Sequence, residues 1–304
     1  MSFLKLGIIG YPLTHSLSPL LHAELMRQLG VDGEYRKYEI SPEALPITLP
    51  QLAQQGIRGV NVTIPHKVAV MHAMDWLSPE AELAGAVNTI VFQPDPSGNI
   101  LRQGHNTDIA GFMRGLPSSA RNPLQQSHVL VLGAGGSARA VMTGLIQAQT
   151  QAITFAVRNP AKALSITSDG QLIKKTLNSP TQLNLVALDN LSDTPGGNLS
   201  GFAGLINTTP VGMYPNNIQS PLSSLQLQTL PSHAWVYDLI YRPVETQLLQ
   251  QAQALGLTAI NGLDMLIYQG ICAFELWSGR QVPDTLVNAL RHSLQQQLEK
   301  SPNQ

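Results

Sequence analysis

Short apolar runs alternate along this chain with stretches whose apolar residues recur every three or four positions, the signature of strands alternating with helices. Leu6–Ile9 reads as a strand. A helix follows through Leu21, Leu25 and Leu29, stopped by Gly30. Tyr35–Ile40 and Gly59–Ile64 are further strands, with a helix over Pro42–Gln55 between them, and Pro65 opens another helix with His66 and Lys67 in its first turn. Three such units in a row predict a mainly parallel sheet. Ala84–Phe92 leads into a strand, and the turn residues Asp95–Asn99 return it as a hairpin through Ile100. Ile109–Leu116 is helical, and the polar stretch Pro117–Ser127 leads away from it.

The second half repeats the alternation. Val129–Leu132 and Ala152–Val157 are apolar enough for strands buried on both faces. Asp169–Asn198 is polar, with no readable period. Leu205–Met213 is a strand end and loop, Trp235–Ile240 a strand, Val244–Leu255 a helix stopped by Gly256, and Leu257–Ile260 a last strand. An apolar helix, Leu263–Trp277, precedes an amphipathic one over Pro283–Lys300, striped by Leu286, Leu290, Leu294 and Leu298.

Chemistry concentrates where strands end. After Leu132 come Gly133, Ala134, Gly135, Gly136, Ser137 and Ala138, and then a helical pattern. Strand, glycine turn and helix in that order build a phosphate cradle; the competing reading is a tight turn that binds nothing. Gly133 permits the turn, Gly135 lets the backbone approach a pyrophosphate, and small Ala138 lets the helix pack close. The helix then presents free N–H groups and its positive dipole end to the anion. The next strand ends in Arg158, followed by Asn159 and Lys162, where NAD-binding folds place an acidic residue. An arginine there suits the 2′-phosphate of NADP; the competing reading is solvated surface charge. Ser16 and Ser18, with Pro19, stand at a helix start beyond a strand, a place for a small carboxylate, or merely a turn and an N-cap. Lys67 gains nothing structurally in a first helical turn, where the dipole repels cations, and this favours a proton-transfer role. Asp108 or Thr107 would cap the Ile109 helix, and Asn88 is a turn or strand polar residue.

Composition narrows the field. The chain has 304 residues, enough for two domains, each with its own core. Its net charge of −1 offers no electrostatic case for nucleic acid or an anionic membrane. No apolar run reaches membrane-spanning length and the N-terminus lacks a signal pattern, so a cytoplasmic setting is expected. The single cysteine, Cys272, sits in an apolar helical pattern and reads as buried and inert. There is neither an HExxH metal motif nor a G-x-S-x-G nucleophile elbow, so no metal and no hydrolase are expected.

Taken together, HSLSP (His15–Pro19), NVTIPHK (Asn61–Lys67), GAVNT (Gly85–Thr89), NTDIAGF (Asn106–Phe112), GAGGSAR (from Gly133), DLIYRPVET (Asp238–Thr246) and NGLDMLIYQ (Asn261–Gln269) resemble the shikimate dehydrogenase family, almost end to end from Gly10 to about Gly279. The resemblance implies two α/β domains with the active site in the cleft between them. These are a substrate domain over about residues 1–113, completed by helices from about 264 to 304, and a Rossmann-like NADP domain over about 114–263. It implies Lys67 and Asp108 as the catalytic pair. Ser16, Ser18, Thr63, Lys67, Asn88, Asp108, Tyr241 and Gln269 would bind substrate. Gly133, Ala134, Gly135, Gly136, Ser137, Arg158, Asn159, Lys162, Leu239 and Gly262 would bind NADP. In the family's usual Asn-Arg-Thr clamp this chain has Val157, Arg158 and Asn159, Asp264 stands where glycine is common, and Leu239 stands where a methionine often sits. The implied activity is reversible, NADP-dependent reduction of 3-dehydroshikimate to shikimate, in aromatic amino acid biosynthesis through chorismate, by a monomer or homodimer. The alternatives are a quinate or quinate/shikimate dehydrogenase using NAD or NADP, and a non-catalytic metabolite or nucleotide sensor on the same fold.

Overall fold

The computed structural model describes residues 3–14, 16–191 and 198–300; His15 of the HSLSP motif, part of the polar stretch after Asp169 and the tail Ser301–Gln304 lie outside them. Two compact units result. The first takes the described residues up to Gly111 and those from Leu266 onward, and the second runs Phe112–Met265.

In the first unit, β1 (Leu4–Gly10), α1 (Ser18–Gln28), β2 (Gly33–Glu39), α2 (Leu45–Gln54), β3 (Gly59–Val62), β4 (Trp76–Leu77), α3 (Pro79–Ala84), β5 (Thr89–Pro94), β6 (Ile100–His105) and the start of α4 (Asp108–Gly115) follow in order. The sheet order is β2-β1-β3-β5-β6-β4. β1 runs parallel to β2 and β3, and β4 parallel to β6, whereas the β5–β6 hairpin sets β5 antiparallel to both its neighbours. The hairpin turn is held by Asp95, whose Oδ1 accepts the N–H groups of Ser97 (2.9 Å) and Asn99 (2.8 Å). Central strands are apolar because both faces are covered: Ile9, Val60, Val62, Ile90 and Phe92 pack with Leu49 and Leu52 of α2.

The second unit continues with α5 (Ser118–Arg121), β7 (His128–Leu132), α6 (Gly136–Gln147), β8 (Ala152–Val157), α7 (Leu164–Leu177), β9 (Gln182–Ala187), β10 (Gly204–Asn207), α8 (Ser224–Leu227), β11 (Trp235–Asp238), α9 (Gln247–Ala254) and β12 (Thr258–Ile260). All of its strand pairs are parallel, in the order β12-β11-β10-β7-β8-β9. The order reverses between β7 and β10, a switch point of the kind beside which doubly wound sheets bind ligands at their strand C-termini. All of β9 and the greater part of α7, from Asp169 on, fall in the segment with no readable period. Both are largely solvent-facing, so their apolar residues are too few to declare a repeat.

The chain then returns to the first unit through α10 (Leu263–Ser278) and α11 (Leu286–Lys300). Trp277 of α10 donates its indole N–H to the Ile90 carbonyl (2.9 Å). Its ring lies where any Cβ on Gly59 would stand, and Gly270 likewise makes room for Leu21. These close approaches press α10 onto the sheet and bring Gln269 with it. Cys272 on this helix is half-buried, not fully buried as its apolar neighbours suggested, because residue 272 falls at the margin of the packed face.

Candidate active site

In the first unit the C-terminal ends of β1, β3 and β6 and the start of β5 share one edge of the sheet, as the registers Ile9↔Val62, Asn61↔Thr89 and Thr89↔His105 require. Seven of the eight residues expected to bind substrate belong to this unit, and six of them stand on segments leaving that edge. Ser16 and Ser18 follow β1, Thr63 and Lys67 follow β3, Asn88 precedes β5, and Asp108 follows β6. Gln269 arrives on α10, and the eighth, Tyr241, belongs to the second unit, beyond β11.

Lys67 Nζ lies 2.6 Å from Asp108 Oδ2, and both side chains are largely buried. Asn88 Nδ2 donates to the other carboxylate oxygen, Oδ1, at 2.8 Å, and lies 2.9 Å from Thr107 Oγ1 and 3.4 Å from Gln269 Oε1. Gln269 is oriented by donating Nε2–H to the Leu266 carbonyl (2.9 Å). The Asp108 carboxylate therefore receives an ammonium on one oxygen and an amide on the other.

Three local expectations are corrected. Lys67 does not open a helix. Its carbonyl accepts Val87 N–H (2.7 Å), so it is unavailable to the residue four ahead, and Met71 N–H bonds Val68 instead, within a 3₁₀ turn over Ala69–Ala73. The lysine sits in a tight turn, tethered by the buried His66, whose Nε2–H donates to the Ile40 carbonyl (2.7 Å). The helix-dipole argument for Lys67 therefore has no basis, and its pairing with Asp108 takes over. Neither Thr107 nor Asp108 caps α4 with its side chain: Asn106 Oδ1 accepts Ile109 N–H (3.3 Å), which leaves both Asp108 oxygens for Lys67 and Asn88. Ser18 is not an N-cap but the first residue of α1; Leu17 precedes it, and Ser16 Oγ accepts Ser18 N–H (3.3 Å). The buried Ser18 hydroxyl is thus spared the capping role that competed with a substrate role. Thr63 packs its methyl against Gly10, where no Cβ would fit.

Reading the sequence missed Asn61, Thr89 and Thr107, which back this cluster. Thr107 N–H and Thr89 Oγ–H donate to Asn88 Oδ1 (2.7 and 3.1 Å), and Asn61 Nδ2 donates to Thr89 Oγ1 (3.2 Å). The signal was present: an asparagine inside the otherwise apolar strand GVNV requires buried partners.

In the second unit the glycine loop follows β7. Gly133 has φ +103°, and a Cβ there would also crowd Thr208 Oγ1 (2.8 Å), so glycine is required twice over. Gly135, the N-cap of α6, faces open space with no side-chain cap, which leaves the helix end to an anion. Gly136 and Ser137 begin α6, Ala134 is half-buried, and Ala138 is buried. Arg139 of the same motif points away, pairing with Asp169 of α7 at 2.5 Å. Arg158 stands exposed just beyond β8, the neighbour of β7, and Asn159 Oδ1 accepts Lys162 N–H (3.3 Å) in the turn that follows. Across the switch point, Leu239 follows β11, and its carbonyl occupies the place of any Cβ on Gly262. These features fit a dinucleotide phosphate: an uncapped helix end, a side-chain-free approach and a nearby guanidinium. No group of three or more His, Cys, Asp or Glu suited to a metal occurs among the described residues, and no helix among them is long and apolar enough to cross a membrane.

Residues 8–90 match the shikimate dehydrogenase substrate binding domain, and residues 262–290 the shikimate 5'-dehydrogenase C-terminal domain. The NADP(+) shikimate dehydrogenase of Trichormus variabilis is 40% identical over 295 residues, covering 96% of each chain. The shikimate 5-dehydrogenase of Thermus thermophilus, solved with NADP(H) and shikimate, superposes with a TM-score of 0.77 at 33% identity, over 97% of this chain and 99% of that one. Quinate dehydrogenase from Corynebacterium glutamicum, solved with NAD, reaches 0.80 at 30% identity over 97% and 99%. With near-complete coverage in both directions, the chain belongs to the shikimate dehydrogenase family.

Proposed function

We infer that this protein is an NADP-dependent shikimate dehydrogenase that interconverts 3-dehydroshikimate and shikimate on the route to chorismate and the aromatic amino acids. The observation that carries this reading is the Lys67–Asp108 pair, 2.6 Å apart and backed by Asn88, in the unit whose residues 8–90 match the family's substrate binding domain. NADPH, when bound, supplies the hydride to the substrate's carbonyl carbon. Gly133–Ser137, Arg158, Asn159 and Lys162 would hold it, with Leu239 and Gly262 lining its site. Lys67 donates a proton to the carbonyl oxygen as the carbonyl becomes an alcohol, and takes it back in the reverse direction. Asp108 holds the ammonium in line and accepts a substrate hydroxyl. Ser16, Ser18 and Thr63 serve the substrate carboxylate, and Asn88, Gln269 and Tyr241 its hydroxyls. We place the enzyme in the cytoplasm, as a monomer or homodimer.

Arg158 favours NADP over NAD through a charge-assisted contact to the 2′-phosphate. The likeness to the quinate dehydrogenase keeps a second reading, quinate oxidation with NAD. A pure sensor has no use for a buried ion pair between a lysine and an aspartate at a substrate edge. The test is absorbance at 340 nm with shikimate or quinate against NADP or NAD. Shikimate with NADP should give the fastest reduction; a preference for quinate, or no reduction with any pair, overturns the assignment.

A further inference from the structure

Behind the Asp108 carboxylate runs a buried chain of hydrogen bonds whose direction is set far from it. Its remote end is His22 on α1. Burial pushes this imidazole down to about 3, so it is neutral at working pH. Its Nε2 lies 3.2 Å from Asn61 Oδ1, and its Nδ1 is buried without a hydrogen-bond partner. Of the two neutral tautomers, one donates Nε2–H to Asn61 and leaves an unpaired acceptor. The other sets two lone pairs against each other and strands a buried N–H, so the first is adopted. Tyr35, stacked on His22 with ring centroids 4.4 Å apart, donates its hydroxyl to the same oxygen at 2.7 Å.

Two donors on Oδ1 fix the Asn61 amide, so Nδ2 must face Thr89 Oγ1 (3.2 Å) and the Asn88 carbonyl (3.4 Å). With its oxygen accepting there, Thr89 turns its own hydrogen to Asn88 Oδ1 (3.1 Å), the nearer of two acceptors, Thr107 Oγ1 lying at 3.2 Å. Thr107 N–H reaches that oxygen as well (2.7 Å), so Asn88 presents N–H, not C=O, to Asp108. Were the Asn88 amide flipped, an oxygen would face the carboxylate at 2.8 Å, and the carboxylate could no longer lie where it holds Lys67.

We propose that His22, Tyr35, Asn61 and Thr89 are positioning residues: donors at the His22–Tyr35 end orient the Asn61 amide, which through Thr89 orients Asn88 and thereby the carboxylate that aligns Lys67. This rests on the functional reading above, in which Lys67 and Asp108 carry the proton. None of the four need touch substrate, and their effect falls on turnover, not on cofactor binding.

The experiment compares kcat and the KM values for shikimate and NADP, with thermal melting, across wild type and variants. His22→Phe/Tyr35→Phe keeps both rings but removes both donors. Its kcat should fall about tenfold to a hundredfold, the usual result of misplacing a reacting group, with KM for NADP unchanged. His22→Gln/Tyr35→Phe returns one N–H donor and should recover most of the lost kcat. Thr89→Val, the same shape without the hydroxyl, breaks the chain midway and should lower kcat similarly; it decides the matter if the double variant does not fold. Turnover within about twofold of wild type in either donor-removing variant that folds overturns the proposal, as does a His22→Gln pair no better than the His22→Phe pair. Wild type and Lys67→Ala separate this from the functional reading. No shikimate turnover by wild type, or none lost in Lys67→Ala, would remove both; a Lys67 dependence with indifferent His22, Tyr35 and Thr89 removes only the relay.

Discussion

Asp238 offers a stability test of the second unit that needs no substrate. It ends β11 with a fully buried side chain. Oδ1 accepts Asn207 Nδ2–H (3.0 Å) and Ile240 N–H (3.1 Å), and Oδ2 accepts the Thr246 hydroxyl (2.7 Å). The carboxylate thus ties the end of β10 to the loop that carries Leu239 and to the N-cap of α9. Burial outweighs these three hydrogen bonds and pushes the carboxyl up from 3.8 to about 6. A raised folded-state value means that the folded protein holds the proton more tightly than the unfolded chain. The associated stability is fully present below about pH 3.8 and is lost as pH rises through about 6. A rise of this size corresponds to about 3 kcal/mol, of which about 2 kcal/mol falls between pH 4.5 and 7.5. Asp238→Asn cannot ionise, so its stability relative to wild type should improve by about 2 kcal/mol from the lower pH to the higher. Taking the difference between the two proteins cancels other titrating groups, including His22, whose depressed value makes the fold lose stability as pH falls below about 6.5. Urea unfolding at the two pH values, followed by fluorescence of Trp235 after replacing the other two tryptophans with Phe, supplies the numbers. A difference that stays constant to within about 0.5 kcal/mol would refute the reasoning, since burial would then not control this carboxyl.

Lys67→Ala should lower kcat at least about a hundredfold while the protein stays folded and still binds NADP, and Asp108→Asn added to it should cost little more in turnover. Arg158→Asp should raise KM for NADP roughly 10- to 150-fold, the worth of a charged phosphate contact, and leave NAD use nearly unchanged; equal effects would clear Arg158 of the 2′-phosphate. Gly262→Ala sets a methyl on the Leu239 carbonyl and should destabilise the second unit by about 1–3 kcal/mol in urea, because backbone must move to admit it. Ser18→Ala should weaken shikimate affinity by about 0.5–1.5 kcal/mol in calorimetric titration without lowering the melting temperature, because Ser18 caps nothing.

Local sequence declared what depends on local physics. The buried strands around Ile9, Val60 and Val131 announce themselves as apolar runs, because both faces of a parallel sheet are covered. The glycines of the β7–α6 loop mark a turn that only glycine accepts at Gly133, where φ is +103°. The Asp95–Asn99 turn and the stripe of α11 were equally plain. Where sequence failed, the reason lay in a hydrogen-bond partner that no apolar pattern records or in too little burial to leave a pattern. Pro65 looked like a helix start, but Val87 takes the Lys67 carbonyl. Ser18 looked like a cap, yet the neighbouring Ser16 hydroxyl, not its own, meets the helix entry. α7 and β9 hid in polar sequence because they present so much surface that little apolar periodicity is needed.

The sequence by itself determined the family, the two alternating α/β halves, and the residue types available to carry a hydride acceptor, a proton and a phosphate. Only the tertiary structure decided which of those residues meet. It set Lys67 against Asp108 across 41 positions of chain, brought Gln269 within 3.4 Å of Asn88 across 181, and threaded His22, Asn61 and Thr89 into one buried line. The physical reason is that a hydrogen bond's direction depends on what each partner's other atoms must satisfy. In a buried site those obligations are met by segments remote in sequence, and no local pattern records them.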